Sequence, residues 1–390
     1  MGDERLKILL SGMVAGDPHQ GGATWAVLQY FFGLRDLGHD VLLVEPIVDK
    51  DGSWGPGSDL SSYFRSLSLP AGGVVLLRAG SKETVGATYA ELVAFAAEAD
   101  LLINISGMLE DERLLEQVPV RAFLDLDPGF NQVWHLTGPD MGFDRHTHFA
   151  SVGQLLDSRT CAVPTCGRRW VPTLPPVALD RWPLVAGPPS GAFTTVGHWR
   201  SYGSMEHDGV HYGQRAHSLR ELIELPGRVD ARFELALGIH PDEVHDLAAL
   251  RRNGWELVDP GAVASSPDRY ASYIRGSEAE LGIAKSGYVN SRSGWFSDRS
   301  ACYLASGRPV AAQETGFGEV LPVGEGLLSF TTVDEAAAAV EAIRSDPLRH
   351  RTRAREIAED LLDSRAVLGR LLLALTSAAP SRSPNPDSSP

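Results

Sequence analysis

The sequence predicts an α/β protein made of two doubly wound, Rossmann-like domains that face a central cleft. Three observations carry this. Short, continuous apolar runs alternate with segments whose apolar residues recur at helical spacing, as expected for parallel strands joined by crossover helices. The alternation occurs twice along the 390 residues, a length that suits two cores of ordinary size. Between the two series, residues 171–191 (VPTLPPVALDRWPLVAGPPSG) hold six prolines, too many for a helix or a central strand, so this run reads as a linker. The expected organisation is an N-terminal domain over 1–175, a Pro-rich linker over 176–191, a C-terminal domain over 192–375 and a tail over 376–390. The tail, TSAAPSRSPNPDSSP, has too little apolar surface to fold and is expected to be disordered.

In chain order, residues 7–10 begin a buried strand and 11–22 form a Gly-rich loop. Residues 23–37 read as a helix, with Val27, Tyr30, Phe31 and Leu34 on one face and Gly38 as its stop. Residues 41–44 form a second apolar strand, completing a βαβ unit. Strands follow at 73–77, 101–105 and 121–126, with a helix at 88–99. After the linker, strands are expected at 193–196, 232–237, 281–284, 309–312 and 327–330. Helices are expected at 218–224, 241–253, 266–277, 297–305 and 333–344, with a last long one over about 349–377.

Composition narrows the function classes. The chain has 35 basic and 50 acidic residues and a net charge of −15. It lacks the basic excess typical of nucleic-acid binders, so no nucleic-acid partner is expected. An acidic surface and the lack of an apolar run of transmembrane length argue against membrane insertion. The opening MGDERLKILLSG is charged and then strand-like, so a cytoplasmic location is expected. Cys161, Cys166 and Cys302 cannot build a disulfide framework, and no second cysteine pair or histidine pair supports zinc.

In a doubly wound fold, a phosphate-bearing ligand lies at the carboxyl ends of the strands. Gly21 and Gly22 leave open backbone N–H groups before the first helix, so they are candidate phosphate binders or simply a tight turn. The loop is not GxGxxG, which argues against a dinucleotide enzyme. Arg299 falls in the first turn of its helix, where it opposes the helix dipole. An anion beside it would explain the placement; pairing with Asp298 or another carboxylate is the alternative. Asp125 and Asp127 stand on alternate residues at a strand end and can converge, as a metal-binding pair or with Asp127 alone facing the cleft. His146 and His148, with Asp144, offer a general base or a metal pair, and His19 in the first loop is a further base candidate. No obligatory metal is expected.

Residues 285–345 carry a family resemblance. The run Phe296, Arg299, Cys302, Ala305, Gly307 and Pro309, the turn Thr315-Gly316-Phe317, the segment Gly324-Glu325-Gly326-Leu327-Leu328 and the helix start Val333-Asp334-Glu335-Ala336 resemble the C-terminal half of the group 1 glycosyltransferases with two Rossmann-like domains, the B-type glycosyltransferase fold. The likeness implies metal-independent hexosyl or related transfer from a nucleotide-diphosphate sugar to a small-molecule or glycan acceptor, as in natural-product or glycan biosynthesis. The donor is a co-substrate and no other cofactor is implied. It would lie on the C-terminal domain, its diphosphate held by Arg215, Arg299 and the backbone of Thr315, Gly316, Phe317 and Gly318, with Arg200 as a further candidate. The acceptor would lie on the N-terminal domain, its proton taken by His19, Asp127 or His146 in an inverting enzyme. Cys302 stands where the family usually has a glutamate for the donor ribose. Ser293 and Gly294 stand where many relatives have a second glutamate. These departures keep two other readings open: a sugar-nucleotide epimerase of the same plan, and a non-catalytic nucleotide-sugar binder.

Overall fold

The computed structural model describes residues 5–49, 52, 54, 55, 57–184 and 189–377. The first sheet holds β1 Lys7–Ser11, β2 Asp40–Ile47, β3 Val74–Arg78, β4 Thr84–Val85, β5 Leu101–Ile105, β6 Val120–Asp125, β7 His148–Ser151 and β8 Trp170–Pro172. Their spatial order is β4-β3-β2-β1-β5-β6-β7-β8, parallel except for the short β4. Beyond the linker come β9 Ala192–His198, the hairpin β10 Met205–His207 and β11 Val210–Tyr212, then β12 Arg232–Gly238, β13 Glu256–Leu257, β14 Ala279–Gly282, β15 Val310–Gln313 and β16 Leu327–Phe330. The second sheet runs β13-β12-β9-β14-β15-β16, and every pair in it is parallel.

The central strands are mostly apolar and buried because helices cover both faces. LLINI of β5 is wholly buried, and β1 is buried from Ile8 onward. The first helix, Gly21–Asp36, buries Trp25, Val27, Leu28, Tyr30, Phe31 and Leu34. In each sheet the chain first builds outward on one side and then returns to build on the other. The strand order therefore reverses between β1 and β5, and again between β9 and β14. Ligands of doubly wound folds lie at the carboxyl edge of such switch points.

The C-terminal helical segment differs from the single long helix expected over 349–377. It comprises Pro347–Ile357, a π-helical turn Ala358–Leu362, and a separate helix Ser364–Ser377. Asp363 is extended (ψ 123), and the chain pairs there with the linker: Val177 N–H donates to Leu362 O at 2.7 Å and Ser364 N–H to Val177 O at 2.9 Å. The last helix then packs on helix Gly21–Asp36, so closely that a Cβ on Gly33 would lie 2.6 Å from Leu368 Cδ1. Residues 364–375, grouped by sequence with the second domain, thus pack on the first. Thr376 and Ser377 complete this helix; the rest of the expected tail, 378–390, lies outside the described residues, as do 185–188 of the linker. No helix among the described residues is long and apolar enough to cross a membrane.

Candidate functional site in the inter-domain cleft

The switch point of the second sheet carries two cations. Arg215 opens helix Arg215–Glu221 and is buried. Its Nε donates to Ile283 O at 2.9 Å and its Nη1 to His198 O at 2.5 Å, so the guanidinium spans the ends of β9 and β14. Gly197 makes room for it: a Cβ there would sit 2.9 Å from Nη1. Burial, then the neighbouring Arg299 charge, lower the Arg215 pKa to about 10, so the group stays cationic at neutral pH. Lys285 follows two residues after Ile283. Its Nζ lies 4.9, 4.2 and 5.4 Å from the ring centres of Phe130, Tyr202 and Tyr288, a cation–π cage. Burial lowers the Lys285 pKa, and Asp127 opposes that shift.

Asp127 belongs to the other domain. It accepts from Lys285 Nζ at 2.9 Å on Oδ2 and from the phenols of Tyr202 on Oδ2 and Tyr288 on Oδ1. Its orientation is set by Asp125, which is fully buried. Asp125 accepts from Asp127 N (2.8 Å), Asn131 Nδ2 (2.6 Å), Gln132 Nε2 (2.8 Å) and Ser151 Oγ (2.7 Å). The two aspartates therefore do not converge. One anchors the turn after β6, and the other reaches across the cleft. Among the described residues no group of three or more His, Cys, Asp or Glu side chains is placed to hold a metal.

Several expected site residues have other duties. Arg299 is buried and already paired with a carboxylate of the chain. Its Nε donates to Glu280 Oε1 at 2.5 Å and its Nη1 to Val196 O at 3.0 Å, all within the domain core. The N–H groups of Gly316 and Gly318 already donate to Glu314 Oε1, at 2.6 and 3.2 Å. Thr315 Oγ1 donates to Trp295 O at 2.6 Å, and Phe317 is buried against Phe296. A carboxylate of this chain thus stands where the donor phosphate was expected. Gly21 and Gly22 serve close packing between the domains, because a Cβ on Gly21 would lie 2.2 Å from Ser266 O and one on Gly22 2.9 Å from the Tyr270 ring.

The histidines divide in the same way. His146 is buried, its Nδ1 2.7 Å from Gly142 O and its Nε2 3.0 Å from Asn104 Nδ2. Nδ1 must carry the proton, and Nε2 accepts from the amide. Burial pushes the His146 pKa down to about 4, so it is a neutral core residue and not a cleft base. His148 is also buried, beside Thr147 Oγ1 at 2.9 Å. His19 stands on the exposed first loop with φ 66 and is paired with Asp59 at 3.0 Å. Asp144 pairs with Arg168, and Arg200 with Glu243 at 2.5 Å. Cys302 is buried and accepts from Gln29 Nε2 at 3.5 Å; burial raises its thiol pKa. Of the candidates, Asp127 reaches across the cleft to Lys285, and Arg215 lies at the strand ends of the second sheet. Lys285, Tyr202 and Tyr288 complete the site without having been expected. The one signal was a lysine placed directly after a buried strand, in GIAKSGY.

The cleft is closed. Leu155 N–H donates to Ser293 O at 3.1 Å, Ala162 N–H to Ser291 O at 2.8 Å, and Trp25 Nε1 to Pro267 O at 2.9 Å. Between Tyr30, Leu126, Val152, Phe296 and Asp298 remains a cavity of ≈ 20 Å³, room for about one water.

No protein-family model and no curated protein matches the chain. Solved structures do. An α-glucosyltransferase in complex with UDP-glucose and DNA containing an abasic site aligns with a TM-score of 0.63 at 12% identity, over 96% of this chain and 100% of that one. The sucrose-phosphate synthase of Thermosynechococcus elongatus gives 0.59 at 15%, over 96% and 100%. AviGT4, a glycosyltransferase involved in avilamycin A biosynthesis, gives 0.56 at 17%, over 96% and 99%. The chain has the B-type glycosyltransferase fold, two Rossmann-like domains about a cleft. One expectation is corrected by these structures. The exclusion of nucleic-acid partners does not stand, because α-glucosyltransferases of this fold are solved in complex with DNA. Net charge sums the whole surface, whereas nucleic-acid contact depends on local charge.

Proposed function

We propose that the chain is a glycosyltransferase that moves a hexosyl or related sugar from a nucleotide-diphosphate sugar to an acceptor hydroxyl. The observation that carries this is the pair of cations at the switch point of the second sheet, Arg215 and Lys285, the latter paired with the carboxylate of Asp127. Structures of the same fold in complex with UDP-glucose, and with UDP as in Anabaena HepE, support it. In the reaction the acceptor oxygen bonds to the anomeric carbon as the bond from that carbon to the phosphate oxygen breaks. The electron pair leaves with the nucleoside diphosphate, and Arg215 and Lys285 stabilise its charge. In the inverting case Asp127 takes the acceptor proton. Lys285 is bonded to Asp127 across the closed cleft, so the domains part to admit the donor.

The test is release of nucleoside diphosphate from UDP-, GDP-, ADP- and dTDP-sugars. It is run with a panel of hydroxylated small molecules, glycans and duplex DNA, with products identified by mass. Sugar transfer to any of them supports the reading and names the acceptor class. Nucleotide-sugar binding without turnover favours the non-catalytic reading, which the buried Cys302 and the internally bonded Gly316 and Gly318 N–H groups keep in view. Interconversion of the free nucleotide sugar would point to an epimerase.

A further inference from the structure

Asp127 and Lys285 lie 158 positions apart in the sequence, in different domains, yet they bond across the cleft. Asp127 Oδ2 accepts both the Lys285 ammonium and the Tyr202 phenol, and Oδ1 accepts the Tyr288 phenol. Oδ2, which accepts two donors, has no lone pair left for an acceptor hydroxyl while Lys285 holds it. Lys285 in turn has its charge met by Asp127 and by three aromatic faces, so it is not free to meet a phosphate. Each group proposed to act on a substrate is held by the other.

Resting on the proposed donor site, we propose that Lys285 is an exchange residue: the donor's diphosphate takes Lys285 from Asp127, and this exchange frees Asp127 to serve the acceptor. A diphosphate carries more charge than one carboxylate and can also engage Arg215, which Asp127 does not touch. The nucleotide sugar then has to bind before the acceptor, because only the loaded enzyme has the Oδ2 lone pair of Asp127 released by Lys285. The phenols of Tyr202 and Tyr288 keep Asp127 oriented once Lys285 has turned away.

The experiment is calorimetric titration of UDP and GDP into the full chain and into Asp127→Asn, Lys285→Met and the double variant, each checked for folding by circular dichroism. Removing the competing carboxylate is expected to tighten nucleoside diphosphate binding several-fold. Lys285→Met is expected to weaken it on the order of tenfold or more, the loss of one charged hydrogen bond. The double variant is expected to bind like Lys285→Met, since without the lysine the aspartate has nothing to withhold. Equal or weaker binding by folded Asp127→Asn, beside measurable binding by the wild type, overturns the exchange and leaves the donor site intact. If no variant and no wild-type protein binds any nucleoside diphosphate, the donor site itself fails. Should Asp127→Asn not fold, the wild type labelled at lysine Nζ gives the answer, since Lys285 is one of four lysines. Its resonance is expected to move on saturation with UDP, and an unmoved resonance overturns the exchange.

Discussion

Arg299 and Glu280 form an ion pair sealed inside the second domain, with the guanidinium Nε 2.5 Å from Oε1 and side-chain exposures of 7% and 0%. Glu280 lies within β14, and its second oxygen, Oε2, has no hydrogen-bond partner. Burial works most strongly against the charge on Arg299, but Glu280, Tyr270 and Tyr303 together raise the arginine pKa. The pair joins the helix Asp298–Ala305 to the sheet beneath it. Arg299→Ala leaves a buried carboxylate without its cation, a change that costs about 3–5 kcal/mol. Denaturant unfolding is expected to show that loss. Nucleoside diphosphate affinity of the protein that remains folded is expected to stay within error of wild type.

His146 gives the fold a defined acid sensitivity. Its pKa is about 4 in the folded chain and about 6.5 in an unfolded one. Between those values the unfolded state binds the extra proton, so stability falls as pH drops from 6.5 toward 4. The slope from this one group is about 1.4 kcal/mol per pH unit at most. Urea unfolding at pH 8, 6 and 5 is expected to show wild type losing stability relative to His146→Gln as the pH falls. A constant gap between the two would remove His146 as the cause.

Glu45 works in the opposite sense. It accepts from Ala15 N at 2.8 Å and Gly16 N at 2.7 Å, but burial outweighs these bonds and raises its pKa to about 7. The stability it contributes is present below its unfolded pKa of about 4.3 and is lost as pH rises through 7. Glu45→Gln mimics the protonated form, so its stability is expected to gain on wild type between pH 5 and pH 8. A gap that narrows from the other side, with wild type gaining, would contradict the assignment.

Gly21→Ala tests how the domains meet. The added methyl would sit 2.2 Å from Ser266 O and 2.8 Å from Ala264 O, both backbone atoms of the second domain. Overpacking of this kind costs about 1–3 kcal/mol. A lower Tm is expected, together with a larger radius of gyration in solution scattering as the cleft is pushed open. An unchanged Tm would mean that the domains already stand apart there.

Metal removal is expected to leave nucleoside diphosphate binding unchanged. Arg215 and Lys285 supply cationic charge at the cleft, and both Asp125 oxygens are engaged within the first domain. Equal calorimetric affinity in EDTA and in Mg²⁺ would agree. Binding that needs the metal would return Asp127 to a metal-ligand role.

The two sheets were legible because their inner strands carry mostly buried, largely apolar runs, such as ILL in KILLS of β1 and FELAL in RFELALG of β12. The two-residue β4 and β13 and the hairpin β10–β11 were not, since they are short and carry polar side chains such as Glu206 and His211. Arg299 was misplaced because sequence shows its position in a helix but not its partner across the domain. The signal was Glu280, a carboxylate inside the apolar run AELG of a strand, which already asks for a buried cation. His146 was misread for a similar reason, since only the fold shows that Asn104 and Gly142 enclose it. Lys285 was overlooked because its meaning depends on Asp127, Tyr202 and Tyr288, which come together only in three dimensions.

The central claim is that a nucleoside diphosphate binds at the switch point of the second sheet. A crystal structure of the full chain grown with UDP, or with whichever nucleoside diphosphate binds most tightly, tests it most directly. The phosphates are expected within hydrogen-bonding reach of Lys285 Nζ and the Arg215 guanidinium, with Lys285 turned away from Asp127. Phosphates seated instead against Gly21–Gly22 or the Thr315–Gly318 turn, with the Asp127–Lys285 pair unbroken, would contradict it.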